Sequence, residues 1–348
     1  MQEFQPLSNL PPIVYAYGFS WRKHAIIKRF VPASVRFVRR LSAVPKNSHL
    51  LVWGSPEQDL SNYNVLQVED GFIRSVGLGA MLIKPSSLVI DPVGIYYDSS
   101  RPSLLEQILE TDDFSPDLLG RASRLRQHII EKKITKYNLN SNQRWIKPND
   151  IQSPVILVVG QVESDASLRC GSPIIRRNID LLKIVREHNP KAHLLYKPHP
   201  DVVAGLREQG INEEEATQYA NKVITNIAID HLYEHIDELH TLTSLSGFEA
   251  LMRGIKVVCY GQPFYSGWGL TRDIYPIRNR RKKHISLDKL VAATLILYPV
   301  YRGDNRRKTN YQVEDIIAEI EEQQNSNHNF LKAWYHLLLG IILKRTIC

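Results

Sequence analysis

The chain has 348 residues, 43% hydrophobic and 23% charged, enough apolar material for two domains of ordinary size with separate cores. No apolar run reaches about 18 residues and no secretory pattern opens the chain, so the reading is a cytoplasmic protein without a spanning helix. Cys170, Cys259 and Cys348 lie far apart, which excludes a cysteine zinc cage and fits a reducing compartment, while the net charge of +8 favours acidic partners.

Taken in order, Ile13 to Tyr17 reads as a strand, and Gly18-Phe19-Ser20 turns into a basic helix that reaches about Phe30. Short apolar runs at Val35 to Val38, Leu50 to Trp53 and Val65 to Val68 follow, the last leading into Glu69-Asp70-Gly71-Phe72. Leu88 to Ile90 and Ile95 to Tyr97 are expected to be extended around Asp91-Pro92. Ser103-Leu104-Leu105-Glu106 has the form of a capping box, so a helix starts at Leu104, and another runs from Pro116 to about Lys133. Residues 137 to 153 are polar, Asn-rich and aperiodic, and read as a linker.

The alternation restarts with strands at Val155 to Val159, His193 to Tyr196, Lys222 to Ile227, Leu239 to Leu242 and Lys256 to Tyr260. Helices are expected from Ile174 to His188 and from Ser246 to Arg253, the latter ended by Gly254. After an aromatic, glycine-broken stretch at 263–270, helices are expected at Asp288 to Leu297 and Val313 to Gln323. The apolar tail, Phe330 to Ile342, is too short to cross a bilayer and is expected to pack on the first domain, with interfacial membrane contact as the alternative. This pattern predicts an α/β fold of two Rossmann-like parallel-sheet domains facing a cleft, residues 1–150 and 151–310, with C-terminal helices at 311–348 packing back on the first.

In an open α/β sheet the carboxyl ends of the strands share one crevice. The segments Gly160-Gln161-Val162-Glu163-Ser164-Asp165, Lys197-Pro198-His199-Pro200 and Ser244-Leu245-Ser246-Gly247-Phe248-Glu249 each follow such a strand, so they should converge there. A lysine charge, a histidine stiffened between prolines and a hydroxyl-rich helix start suit an anionic, phosphate-bearing ligand. The plainer readings are a histidine satisfied by backbone and ordinary capping by Ser246. Glu163, Asp165, Glu69 and Asp70 are carboxylates at strand ends, and glycosyl chemistry needs two of these. Asp165 is equally an N-cap candidate and Asp70 a turn residue.

His231 and His235 stand one helical turn apart, with His240 beyond, but Glu234 and Glu238 between them read as a solvated, ion-paired helix instead of a metal site. Phosphate-loop, dinucleotide and zinc-protease signatures are absent, as are the aromatic signatures of RNA-binding folds. Basic residues cluster at Arg22, Lys23, Lys28, Arg29, Arg36, Arg39 and Arg40, at Arg278, Arg280, Arg281, Lys282 and Lys283, and at Arg306, Arg307 and Lys308. They are either a solvated surface or a face for nucleic acid, anionic lipid or an acidic substrate.

Glu69-Asp70-Gly71, Lys197-Pro198-His199-Pro200 and Ser244-Leu245-Ser246 resemble the motif set of bacterial glycosyltransferases that use CMP-activated ulosonic acids on a GT-B frame. The longer strings 160–167, 196–200, 246–251, 260–271 and 68–75 make the chain similar to the capsule polysaccharide β-Kdo transferases of the KpsC/LipA type. That resemblance implies retaining transfer of Kdo from CMP-β-Kdo to a lipid-linked, Kdo-containing glycan, with no cofactor, no metal and no nucleic acid. It implies Asp165 as the nucleophile and Glu69 or Asp70 as the proton shuttle. It puts Gln161, Lys197, His199, Ser244, Ser246, Gly247 and Glu249 on the donor, Glu249 at its ribose, and Arg74, Tyr265 and Trp268 on the sugar or acceptor. Members commonly carry two such modules in tandem; this chain has one, and its Gln-Val-Glu-Ser-Asp wording is nearer the β-2,7 module. The basic clusters would then suit peripheral contact with the inner face of the membrane. An inverting CMP-sugar transferase with Glu69 or Asp70 as base, or a non-enzymatic glycan-binding module, are the competing readings.

Overall fold

The computed structural model describes residue 7 and residues 10–78, 83–111, 113–139, 143–304, 308 and 310–325. Contacts divide the chain into two units, Met1–Leu125 with Val291–Cys348, and Arg126–Leu290.

The first unit begins β1 (Ile13–Tyr17), α1 (Trp21–Phe30), β2 (Ser34–Val38), β3 (His49–Trp53), β4 (Asn64–Asp70), β5 (Ser87–Asp91), α2 (Leu104–Glu110) and α3 (Pro116–Glu131), whose end passes into the second unit. Leu50, Leu51 and Val52 are all buried, as strands covered on both faces require. Val14, Leu51, Val68 and Ile90 pack with Ile27 and Phe30 of α1 on one face, while Val44, Leu50, Val52 and Leu60 form the opposite cluster. The Ser103 hydroxyl accepts the Glu106 N–H at 3.2 Å, so the capping box starts α2 where expected.

The second unit holds β6 (Val155–Val159), α4 (Ala166–Gly171), α5 (Asn178–His188), β7 (His193–Lys197), α6 (Pro200–Val203), α7 (Ala216–Tyr219) and β8 (Lys222–Val223). It continues through α8 (Asp230–Tyr233), β9 (Glu238–Thr241), α9 (Leu245–Met252), β10 (Lys256–Cys259), β11 (Arg272–Asp273) and α10 (Leu287–Val291). Its sheet runs β11-β10-β9-β6-β7-β8, parallel throughout. The chain lays β6, β7 and β8 to one side and then β9, β10 and β11 to the other, so its winding reverses between β6 and β9.

The chain then returns to the first unit with β12 (Pro299–Tyr301) and α11 (Val313–Asn325), where Glu314 pairs with Arg121 at 2.7 Å. The first sheet has the order β12-β5-β4-β3-β1-β2. It is parallel from β2 to β4, but β5 runs against β4 and β12 against β5. A parallel return after β4 needs a crossover element, and the described residues between β4 and β5 hold no helix.

Several expectations are corrected. Ile95 to Tyr97 is not a strand, because Asp91 turns the chain by accepting Val93 N–H at 2.8 Å and Gly94 N–H at 2.9 Å. The strand at 222–227 shortens to Lys222–Val223, and the helix expected from Ile174 begins at Asn178, whose N–H is held by Glu163. Helix 288–297 is α10 followed by a wider π turn over Ala292–Leu297. The units divide near 125 and 290 instead of 150 and 310. The polar run taken as a linker is anchored within the second unit: Asn138 caps Thr135 N–H at 3.0 Å and the buried Trp145 stacks on His193. The tail at 330–342 lies outside the described residues.

Asp91 is the polar hub of the first unit. Its other oxygen accepts Leu104 N–H at 2.9 Å and the Tyr298 hydroxyl at 2.8 Å, joining β5, the start of α2 and the returning C-terminal segment. Burial pushes its carboxyl pKa up against these hydrogen bonds. Replacing Asp91 with Ala strands all of those donors in the interior. Chemical denaturation is expected to show a loss of at least about 3 kcal/mol for Asp91→Ala and only about 1 kcal/mol for Tyr298→Phe. Equal, small losses would contradict the hub.

Candidate functional site

The reversal between β6 and β9 is bridged by side chains. Gln161, directly beyond β6, donates from Nε2 to Thr243 Oγ1 at 3.0 Å and accepts Thr243 N–H on Oε1 at 2.8 Å. Its backbone exchanges two further hydrogen bonds with the Asn178 side chain at 2.9 and 2.8 Å. The residue expected on the donor therefore spends its amide on holding the two strand ends together. Beside it, a Cβ on Gly160 would overlap the Tyr196 hydroxyl, so only glycine allows this approach.

His199, past the end of β7, is the N-cap of α6, and its Nδ1 accepts Asp201 N–H at 3.1 Å. The neutral ring then carries its proton on Nε2 as a donor. Burial, followed by the positive charges of Lys136, Arg207 and Lys197, holds its pKa down to about 4. Lys197 donates to the Ile227 carbonyl at 2.6 Å, and burial lowers its own pKa to about 8 against the charge of Asp230. The result is a neutral donor ring among cations.

At the end of β9, Ser244 caps α9 by accepting Ser246 N–H at 3.2 Å, so the cap is Ser244 and not Ser246. The two hydroxyls lie 3.2 Å apart at the positive end of the helix. Tyr265 supports this turn from below, donating its hydroxyl to the Ser244 carbonyl at 2.5 Å, and a Cβ on Gly247 would overlap that hydroxyl. Tyr265 and Trp268 have no accessible surface, and Trp268 Nε1 donates to the Phe264 carbonyl at 2.9 Å. Both were expected to meet a sugar; the structure makes them scaffold, because their polar atoms satisfy interior backbone. Arg281, from the second basic cluster, is likewise buried and donates to the Pro263 carbonyl.

Glu249 is buried, with Oε1 accepting Lys136 N–H at 2.8 Å and Oε2 accepting the Tyr233 hydroxyl at 2.8 Å. Burial raises its pKa. In place of a ribose, its two oxygens hold the backbone of Lys136 beside α9, and the Tyr233 hydroxyl also lies 3.2 Å from the Ser246 carbonyl.

Asp165 occupies the N-cap position of α4 without making the cap bond. Its Oδ1 instead pairs with Arg207 at 2.5 Å, and its side chain keeps 40% of its surface exposed. Glu163 is structural, accepting Asn178 N–H at 2.7 Å and Ile211 N–H at 3.0 Å. Because Arg207 binds Asp165 and its charge bears on His199, the aspartate and the histidine share one neighbourhood at the carboxyl ends of β6 and β7. Lys136, Arg207 and Tyr233 were not singled out from the sequence, since no motif or spacing marks them.

In the first unit, Glu69 and Asp70 close β4. Asp70 pairs with the Nε of buried Arg74 at 2.7 Å, and Arg74 NH1 also donates to Ser75 Oγ at 3.0 Å. The expected sugar-binding arginine is thus engaged by a neighbouring carboxylate. Lys23 belongs to this cluster and not to a solvated face: it lies 3.2 Å from the Trp53 ring centroid. Burial lowers its pKa to about 8, opposed by the charges of Glu69 and Asp70. α8 ends at Tyr233, so His231 and His235 do not share a helical face, and His240 pairs with Glu238 on β9. Among the described residues no group of His, Cys, Asp and Glu could hold a metal ion.

His199 gives a direct test. A ring whose folded pKa lies near 4, below its ordinary 6.5, supports the fold fully above pH 6.5. Acidification towards 4 removes that support, because only the unfolded chain takes up the proton. NMR titration is expected to find a midpoint near 4 that rises when inorganic phosphate is added. His199→Asn should flatten the pH dependence of stability in this window. A midpoint near 6.5, indifferent to phosphate, would contradict the site.

Residues 57–301 match the family described as capsule polysaccharide biosynthesis protein. The capsule polysaccharide modification protein LipA of Neisseria meningitidis serogroup B is 41% identical over 345 residues, covering 94% of this chain and 49% of LipA. The chain thus spans about half the length of the LipA relatives it matches. The lipopolysaccharide-processing protein LpsZ of Rhizobium meliloti is 36% identical over 86% of this chain and 72% of its own. Among solved structures, the β-Kdo 2,7 transferase of Thermosulfurimonas dismutans KpsC is 39% identical with a TM-score of 0.74, covering 90% of this chain and all of that one. The β-Kdo 2,4 transferase of the same KpsC is 31% identical with a TM-score of 0.77, covering 88% and 98%. Likeness over nearly the whole chain bears out the α/β architecture of two Rossmann-like units. The chain belongs to the family of capsule polysaccharide biosynthesis proteins.

Proposed function

We propose that this chain transfers Kdo from CMP-β-Kdo to a lipid-linked, Kdo-containing glycan in capsule polysaccharide assembly, with retention through an adduct on Asp165. The observation that carries this reading is the state of Asp165: a half-exposed carboxylate at a strand's carboxyl end, released from helix capping and held by Arg207 beside the His199 cluster. Both KpsC modules of Thermosulfurimonas dismutans are β-Kdo transferases, which supports the same sugar here. Identity favours the β-2,7 module, 39% against 31%, while the TM-scores, 0.74 against 0.77, run slightly the other way; on identity we assign the β-2,7 linkage.

Asp165 Oδ attacks the anomeric carbon as its bond to the phosphate oxygen breaks, and CMP leaves with the electron pair. The charge on the single phosphate is met by the Nε2–H of His199, by Lys197 and Lys136, and by the start of α9 at Ser244, Ser246 and Gly247. The acceptor oxygen then displaces the aspartyl ester and gives its proton to a carboxylate. We assign that role to Glu69 or Asp70.

Intact-mass measurement after incubation with CMP-Kdo is expected to show an added Kdo residue that Asp165→Asn lacks, with CMP release reduced at least about a thousandfold. Retained transfer by the variant would remove Asp165 as nucleophile. An inverted product would instead support single displacement with Glu69 or Asp70 as base.

No described helix is long and apolar enough to cross a membrane. For a lipid-linked acceptor we propose peripheral docking through the start of α1, where Trp21 is 76% exposed and Arg22 and Lys28 share the helix. Co-sedimentation with phosphatidylglycerol vesicles should fall for Trp21→Ala and with rising salt, leaving transfer to a soluble acceptor intact. Equal sedimentation of variant and parent would dismiss this docking surface.

A further inference from the structure

We infer that Arg207 recognises the carboxylate of the donor sugar, the group that sets a ulosonic acid apart from a neutral sugar. The inference rests on the donor reading above. Arg207 follows α6 on a turn fixed at its base: the N–H groups of Leu206 and Arg207 both donate to the Asp201 carbonyl, at 2.8 and 3.1 Å. From there the guanidinium crosses to the end of β6, where NH2 meets Asp165 Oδ1 at 2.5 Å and lies 3.4 Å from Ser164 Oγ. Among the described residues its Nε and NH1 take no acceptor, and the side chain keeps 39% of its surface exposed.

The chemistry asks for a cation here. In a ulosonic acid the anomeric carbon itself carries the carboxylate, so a nucleophilic Asp165 must bring its own negative charge beside another. A planar guanidinium presents several N–H donors and can hold two carboxylates at once, which a point charge does less well. When Asp165 becomes an ester it loses its charge, and Arg207 keeps the sugar carboxylate as its partner. When the acceptor oxygen displaces the ester, the original pair returns. Arg207 thus binds substrate in addition to orienting Asp165.

The test compares initial rates with CMP-Kdo and with its C1 carboxamide, in the full chain and in Arg207→Met. The parent should prefer the carboxylate by at least about tenfold in kcat/KM, the worth of one charged hydrogen bond. Arg207→Met should lose that preference while inhibition by CMP weakens less than use of the donor. Arg207→Lys, which keeps charge without the fork, should show a reduced preference and serves if the methionine variant does not fold. An undiminished preference in either folded variant overturns the inference and leaves the donor reading standing. A parent that neither turns over CMP-Kdo nor is inhibited by CMP overturns both.

Discussion

The pair Gln161 and Thr243 joins two strand ends far apart in sequence at the place where the second sheet changes its direction of winding. The rest of the site is built outward from that junction. Because β7, β6 and β9 are parallel neighbours, the residues after each leave the sheet on the same side, bringing His199, Asp165 and the start of α9 to one edge. The close approaches of Tyr196 to Gly160 and of Tyr265 to Gly247 remove slack from that edge. Functional groups carried on such packed elements need little reordering to act.

Charge is distributed unevenly over this edge. Burial, and after it the charges of Lys136, Arg207 and Lys197, keep the His199 ring neutral. The neighbouring acids do not offset them equally. Glu163 and Glu249 face inward to backbone or hydroxyl donors, and Asp165 is left as the exposed carboxylate paired to a cation. A site that is cationic before anything binds favours an anion, and partial burial keeps that preference from being screened away. The first unit carries its own charged cluster, with Lys23 set among Trp53, Glu69 and Asp70 and Arg74 closing on Asp70.

Short apolar runs bounded by turn residues were enough to read most strands, because strands buried on both faces leave an unbroken hydrophobic signature, as in Val155–Val159. Polar segments at their ends were legible for the same reason, and the capping box at Ser103 was local chemistry. Strand direction was not legible: β5 and β12 run against their neighbours, and nothing in their composition records it. Nor was the allegiance of residues 137–153, whose polarity suggested a linker although Asn138 and Trp145 are interior. Aromatic residues misled in the opposite sense. Tyr265 and Trp268 carry polar tips that suit a sugar, and only packing shows those tips spent on the carbonyls of Ser244 and Phe264. Arg207 belongs to no motif, and its importance comes from a meeting across the strand ends that sequence distance hides.

The most direct measurement is a crystal structure of the chain with CMP. The account predicts the phosphate at His199 Nε2 and the hydroxyls of Ser244 and Ser246, with Asp165 and Arg207 lining the space where a sugar would follow. CMP bound elsewhere, with His199 and the start of α9 untouched, would contradict it.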